Sequence, residues 1–420
     1  MEDELYSKLE EYFKATDPKE RHPSAFRVPI GGSFYDEKEV KAVLECYLKG
    51  WLSTQKKVVE FEKIFSDYIG INHAVAVNSG TSANILALNA LMEAGDLKRE
   101  DEVIVPATTF ITVASPVIQL GMVPVYVDVD ANTLNIDPKE IEKAINPGKT
   151  KAIMVVHTLG YPADMDEIME IAAKYNLKVI EDCCEAHGAM FMGKKVGTFG
   201  DLATFSFYVA HNITTGEGGM VVTNSKVYYE IASELREFGR LKSYQGERFG
   251  YSDTNLKDYD ERYVFHRIGY NFRMADTPAA FGIEQVKKLD ILNEKRIQNA
   301  KFYIDNFDDK LKSFFQILSL DDSVIFKVFY AFPIVVKAGG GISRKKIVSY
   351  LESKGIETRA LFCSSLPDQP CFKSTPGRTV GQLPVSRWLR DNAFFIGCHP
   401  GLNENDLKYV IETLKEVIKL

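Results

Sequence analysis

An α/β fold on a mainly parallel sheet, with a second and smaller domain, is predicted by three features of this sequence. Short β-branched runs read as buried strands. Helical periodicity fills most of the gaps between them. The 420 residues, 45% of them apolar, suffice for a large core and a further small one. The runs are AVAV (74–77), VIVP (103–106), VPVYVDV (123–129), KAIMVV (151–156), KVIED (178–182), ATFSF (203–207) and MVVT (220–223). Such alternation is the pattern of a sheet covered by helices.

Before the first strand, Leu5, Leu9, Tyr12 and Phe13 fall on one helical face of residues 3–15, predicting a lead-in helix. After Pro29 and Gly31–Gly32 the helical spacing returns around 38–50 and 56–69. Between the strands it covers 81–93 and 164–175. The organisation expected is an N-terminal helical extension over 1–35, a large domain over 36–285, and a small domain of helices and a few strands over 286–420. There is no internal repeat and no low-complexity segment.

With 51 basic and 58 acidic residues the net charge is -7, so the chain lacks the electrostatic footprint of a nucleic-acid binder. No apolar stretch approaches the roughly 18 residues of a membrane span. The opening MEDELYSKLEEYFKA is charged and unlike a signal peptide. The six cysteines (Cys46, Cys183, Cys184, Cys363, Cys371 and Cys398) are scattered, which suits a reducing compartment. A cytoplasmic protein is expected.

Three segments carry chemistry. NSGTSAN (78–84) lies between a strand and a helix. Its hydroxyls and exposed backbone N–H groups form a phosphate cradle, or serve as an ordinary helix cap. EDCCEAHG (181–188) closes a strand with Asp182, where α/β proteins bind ligands. Buried there, the carboxylate needs a cationic partner such as a protonated pyridine nitrogen; exposed, it would simply cap a helix. Cys183 and Cys184 do not make a metal site, because no further thiol is near in sequence and about four ligands are needed. TFSFYVAHNITTGEGGMVVT (204–223) takes a strand into a turn holding His211, then returns through glycines to another strand. GEGG is not a dinucleotide fingerprint, and a lone histidine can be purely structural.

In order and spacing, these segments resemble the DegT family of sugar aminotransferases, which has the aspartate aminotransferase fold (fold type I) and acts on nucleotide-linked keto sugars. The resemblance runs from about residue 35 to the C-terminus and includes PATTFITVASPVIQLGMVPVYVDVD (106–130) and IGYNFRMAD (268–276). It implies bound pyridoxal 5'-phosphate or pyridoxamine 5'-phosphate. Thr81, Ser82 and Ser206 would hold the phosphate, Phe110 would stack on the ring, and Asp182 would pair with its nitrogen. Glu185 would contribute to the same pocket. Asn271 would reach the phosphate of the partner subunit, making a homodimer with shared active sites.

At one place the chain departs from that family. Where the family has lysine, just before N-x-T-T-G-E-G-G, this sequence has His211. Lysine forms a Schiff base with the cofactor, and imidazole cannot. Histidine there resembles the 3-dehydratases of nucleotide-linked 4-keto-6-deoxyhexoses. Cys184 matches one iron–sulfur ligand of the iron-dependent branch. The other ligands should follow REFGR (236–240), yet LKSYQGERFGYSDTN (241–255) has no cysteine. The resemblance therefore favours the iron-free branch, which acts on GDP-4-keto-6-deoxymannose and renews its pyridoxamine from glutamate. A second departure is Glu185, where the aminotransferases carry Gln or His and the dehydratases Asp; it leans toward the dehydratases over the aminotransferases. The implied activity is 3-dehydration, with His211 the catalytic proton carrier and Arg359 available to a diphosphate. Two alternatives stand beside it: an aminotransferase whose lysine has been replaced, and a non-catalytic binding protein on this fold.

Overall fold

The apolar runs become β1 (His73–Val77), β2 (Glu102–Pro106), β3 (Val123–Val127), β4 (Thr150–Val156), β5 (Lys178–Asp182), β6 (Leu202–Ser206) and β7 (Gly219–Thr223). The computed structural model describes residues 2–16, 24–241, 259–318, 324–337 and 341–419. Further along the chain lie β8 (Phe315–Ile317), β9 (Ala331–Val336), β10 (Thr358–Ala360), β11 (Arg378–Thr379) and β12 (Ala393–Gly397). The main sheet has the order β1-β7-β6-β5-β4-β2-β3-β11. Neighbours from β6 to β11 are parallel, but β7 runs antiparallel to both β1 and β6. The sheet is thus mixed. Residues 207–218 contain no helix, and without a helical crossover the chain returns from β6 antiparallel.

The helices named here are α1 (Glu2–Ala15), α2 (Glu37–Leu48), α3 (Lys56–Ile69), α4 (Gly80–Glu93), α5 (Met165–Tyr175), α6 (Lys226–Arg236) and α7 (Asp276–Asn306). They cover both faces of the sheet. On one face Val75, Val103, Met154 and Ile180 pack with Leu86 and Leu91 of α4 and with Ile231 and Leu235 of α6. On the other, Ala76, Phe205 and Val222 pack with Phe61 and Phe65 of α3 and with Ile283 and Leu289 of α7. Ile153 and Val179 meet Met165 and Ile168 of α5 on that same side. Each such fully buried Leu, Ile or Phe contributes roughly 1.5–3 kcal/mol relative to exposure.

Caps set the helix ends. Asp36 and Glu39 close a reciprocal capping box at α2, and Gly70, at φ +87°, ends α3 in the left-handed region. Helix α1 is joined to the body by Lys41–Glu10 and by Phe13 edge-on to Tyr35, while Leu5 and Tyr12 stay exposed. The small antiparallel sheet, β8-β9-β12-β10, shares a core with the end of α7 through Tyr303, Phe307, Phe332 and Phe394. Helix α7 is 31 residues long, and residue 285 lies inside it. Among the described residues no helix is long and apolar enough to cross a membrane.

Candidate active site

The start of α4 meets the ends of β5 and β6. Ser79 caps α4, its hydroxyl accepting from Ser82 N at 3.1 Å, while Ser82 Oγ donates to Asn78 Oδ1 at 2.6 Å. Thr81 stands beside them in the first turn, where helical N–H groups lack intrahelical acceptors. Two glycines allow this closeness. A Cβ on Gly80 would come within 2.6 Å of Ser206 Cβ, and one on Gly219 within 2.3 Å of Ser79 O. Ser206 and the hydroxyl-rich head of α4 therefore form one cradle, with the positive end of the helix dipole in it.

Asp182, 5% exposed, ends β5 beside this cradle. It accepts from Asn84 Nδ2 at 2.9 Å and from Cys184 N at 3.0 Å, and Asn84 Oδ1 accepts from Thr204 Oγ1 at 2.6 Å. No Lys, Arg or His among the described residues forms an ion pair with Asp182. A buried carboxylate without a cation suits a ligand that brings a positive charge.

His211 lies in the turn after β6. Its Nδ1 is 3.0 Å from Ser206 O, a carbonyl that can only accept, so Nδ1 carries the proton and Nε2 keeps its lone pair. Burial pulls the imidazole down to about 4 despite the opposing pull of Asp182, leaving it neutral near pH 7. Helix α7 fixes the turn from one face. Gln285 Oε1 accepts from Thr214 N, Asn293 Oδ1 accepts from Asn212 Nδ2, and Arg296 donates to His211 O.

Glu185 stands one turn beyond Asp182. Its Oε2 accepts from Leu159 N at 2.9 Å, and burial, reinforced by Asp182, pushes its carboxyl up to about 8. Leu159 holds a left-handed φ of +53° and takes Tyr330 N on its carbonyl. Tyr330 in turn sets its ring edge-on to His211, with centroids 5.5 Å apart. Glu185 and His211 are thus joined by an arc of Leu159 and Tyr330.

Phe110 follows β2 and is 55% exposed. Asn271 is exposed and bonded through Oδ1 to Arg273 Nε at 3.0 Å. Among the described residues no hydrogen bond joins Asn271 to the cluster. Arg359 pairs with Glu357 at 2.6 Å on the surface. His157, Glu181 and Cys183 also come together, all buried, but His157 is bonded through both nitrogens to Ala163 N and Glu181. Glu181 further accepts from Gly197, Phe199 and Gly200, so the trio is a hydrogen-bonded network under β5. Most of LKSYQGERFGYSDTN lies outside the described residues.

Sequence reasoning missed Asn84, Leu159, Tyr330, Gln285, Asn293 and Arg296. Asn84 closes the NSGTSAN motif, and that position was a usable signal. The others come from distant segments and act largely through backbone atoms, which leave no mark in a motif.

The sheet and its covering helices form the fold of fold type I pyridoxal-phosphate enzymes, and the cradle, Asp182 and His211 lie together at one end of it. The chain belongs to the DegT/DnrJ/EryC1/StrS aminotransferase family, whose pattern matches residues 34–415. It is 38% identical to the lipopolysaccharide biosynthesis protein RfbH of Salmonella typhimurium over 97% of this chain and 95% of that protein. It is 33% identical to the dTDP-4-dehydro-2,6-dideoxy-D-glucose 3-dehydratase of Saccharopolyspora spinosa, over 99% and 92% respectively. The solved E. coli GDP-4-keto-6-deoxy-D-mannose-3-dehydratase, with bound hydrated PLP, superposes with a TM-score of 0.85. That match covers 93% of this chain and all of that one, at 31% identity. GDP-perosamine synthases are similar to this chain as well.

Proposed function

We propose that this protein is a 3-dehydratase of a nucleotide-linked 4-keto-6-deoxyhexose, working with pyridoxamine and pyridoxal phosphate and yielding a 4-keto-3,6-dideoxy sugar. It acts without an iron–sulfur cluster, as a homodimer, and draws its amino group from an amino acid such as glutamate. The observation that carries this is His211 with Nδ1 bound to Ser206 O and no bond to Nε2 among the described residues; the family resemblance sets this residue where a lysine would hold the cofactor covalently. Similarity to 3-dehydratases over nearly the whole chain supports it.

Thr81, Ser82 and Ser206 hold the phosphate, Phe110 covers the ring, and Asp182 keeps its nitrogen protonated. Glu185 closes the pocket, and Asn271 serves the partner subunit's site. When bound, the cofactor supplies an amine for the sugar ketone and an electron sink for loss of the C3 hydroxyl. His211 Nε2 takes the proton that must leave the carbon bearing that amine. As imidazolium, made more acidic than usual by burial, it can protonate the departing hydroxide.

Incubation with pyridoxamine phosphate and a panel of GDP-, CDP- and dTDP-linked 4-keto sugars, followed by mass analysis, tests this. A product lacking one hydroxyl supports dehydration. A product with the ketone exchanged for an amine contradicts it and favours the aminotransferase alternative.

A further inference from the structure

We propose that Arg296 is a positioning residue for His211, its guanidinium clamping the turn that carries His211 to the loop that carries Tyr330. This rests on His211 being the proton carrier. Arg296 is 1% exposed and forms no ion pair with any carboxylate among the described residues. It donates through one terminal nitrogen to Tyr330 O at 2.9 Å and through the other to His211 O at 3.0 Å, while its Nε has no partner. Burying an unpaired guanidinium is costly, and an apolar side chain would fill the space without that penalty. What the guanidinium adds is a fork that grips two carbonyls at once. The two segments it grips are those whose rings meet edge-on, Tyr330 and His211.

The charge has a second effect. His211 is faced by Asp182, whose charge favours protonation, and by His187, Tyr208 and Tyr330. Arg296 opposes protonation of both His211 and His187. Burial lowers Arg296 itself to about 10, so it remains a cation near neutrality.

Arg296→Lys keeps the charge and loses the fork; Arg296→Gln keeps a donor and loses the charge. In the half-reaction with glutamate both variants should lose kcat by about 10–100-fold, because small misplacements of a catalytic group have effects of that size. The KM for glutamate should stay near native. The acid limb of the pH–rate profile, and the His211 titration followed by NMR in cofactor-free protein, should move up in Arg296→Gln and stay put in Arg296→Lys. Variants with native melting temperature, kcat and acid limb would overturn the proposal. So would a kcat loss explained wholly by the fraction unfolded. If the Gln variant does not fold, the kcat of the Lys variant decides. His211→Asn is the parallel control: a native rate there removes the proton-carrier role, while the NMR titration still judges the clamp.

Discussion

The Nδ1 atom of His211 lies 3.0 Å from the carbonyl oxygen of Ser206, and that contact decides which imidazole nitrogen can act. With the proton fixed on Nδ1, Nε2 is a base at neutral pH and not a hydrogen-bond donor. The same peptide that ends β6 thereby sets both the cradle, through the Ser206 side chain, and the tautomer, through its carbonyl.

The absence of lysine at this position has a covalent consequence. Borohydride treatment of protein loaded with pyridoxal phosphate should leave the cofactor removable by dialysis, since only an imine is reduced to a stable link. A peptide digest checks this. A phosphopyridoxyl-lysine peptide would refute the site as described.

Glu185 predicts a pH dependence of stability. Its carboxyl is raised from an ordinary 4.5 to about 8 in the fold, so the folded protein holds this proton more tightly than the unfolded chain does. The favourable contribution is complete below about pH 4.5 and is lost as pH rises through 8. Glu185→Gln mimics the neutral acid. Its melting temperature relative to wild type should therefore climb steadily from pH 5 to pH 8 in cofactor-free protein. A constant difference across that range would show that Glu185 is ionised throughout.

Asn84 ties Asp182 to Thr204, and Asn84→Ala leaves both polar groups buried without that partner. Unfolding in urea should show a loss of about 1–3 kcal/mol, the usual penalty for a stranded buried group. Cofactor affinity should fall with it, because Asp182 loses the amide that orients it. Unchanged stability and affinity would mean that Asp182 is held by Cys184 N alone.

How far the sequence reveals this architecture depends on the kind of interaction. Runs such as VPVYV and KAIMVV are buried on both faces and read directly as strands, and the periodicity of 56–69 coincides with α3. The direction of β7 is not legible in the same way, because apolar periodicity is identical for parallel and antiparallel neighbours. Ser82, Asp182 and Ser206 lie within short motifs, and the fold brings those motifs together. Arg296 is 85 residues from the carbonyl it grips and 34 from Tyr330, so only the fold reveals its partners. Leu159 matters through its N–H and its left-handed backbone, and no property of a leucine side chain signals either.

Sharing of the site between subunits is testable by mixing. A hybrid of one Asn271→Ala chain and one His211→Asn chain has one intact site if Asn271 serves the partner, and none if each chain is self-sufficient. Coexpressed and tag-purified hybrids should therefore regain about half of the native activity. Activity no higher than the average of the two parent variants would exclude sharing.

The most direct test of the account is His211→Asn followed through each half-reaction separately. The variant should bind pyridoxamine phosphate normally, because the cradle and Asp182 remain. Dehydration of the keto sugar and the glutamate half-reaction should both slow by about 10²–10⁴, the usual loss on removing a general base. A native rate in either half-reaction would contradict the single-base account and assign that proton transfer to another residue.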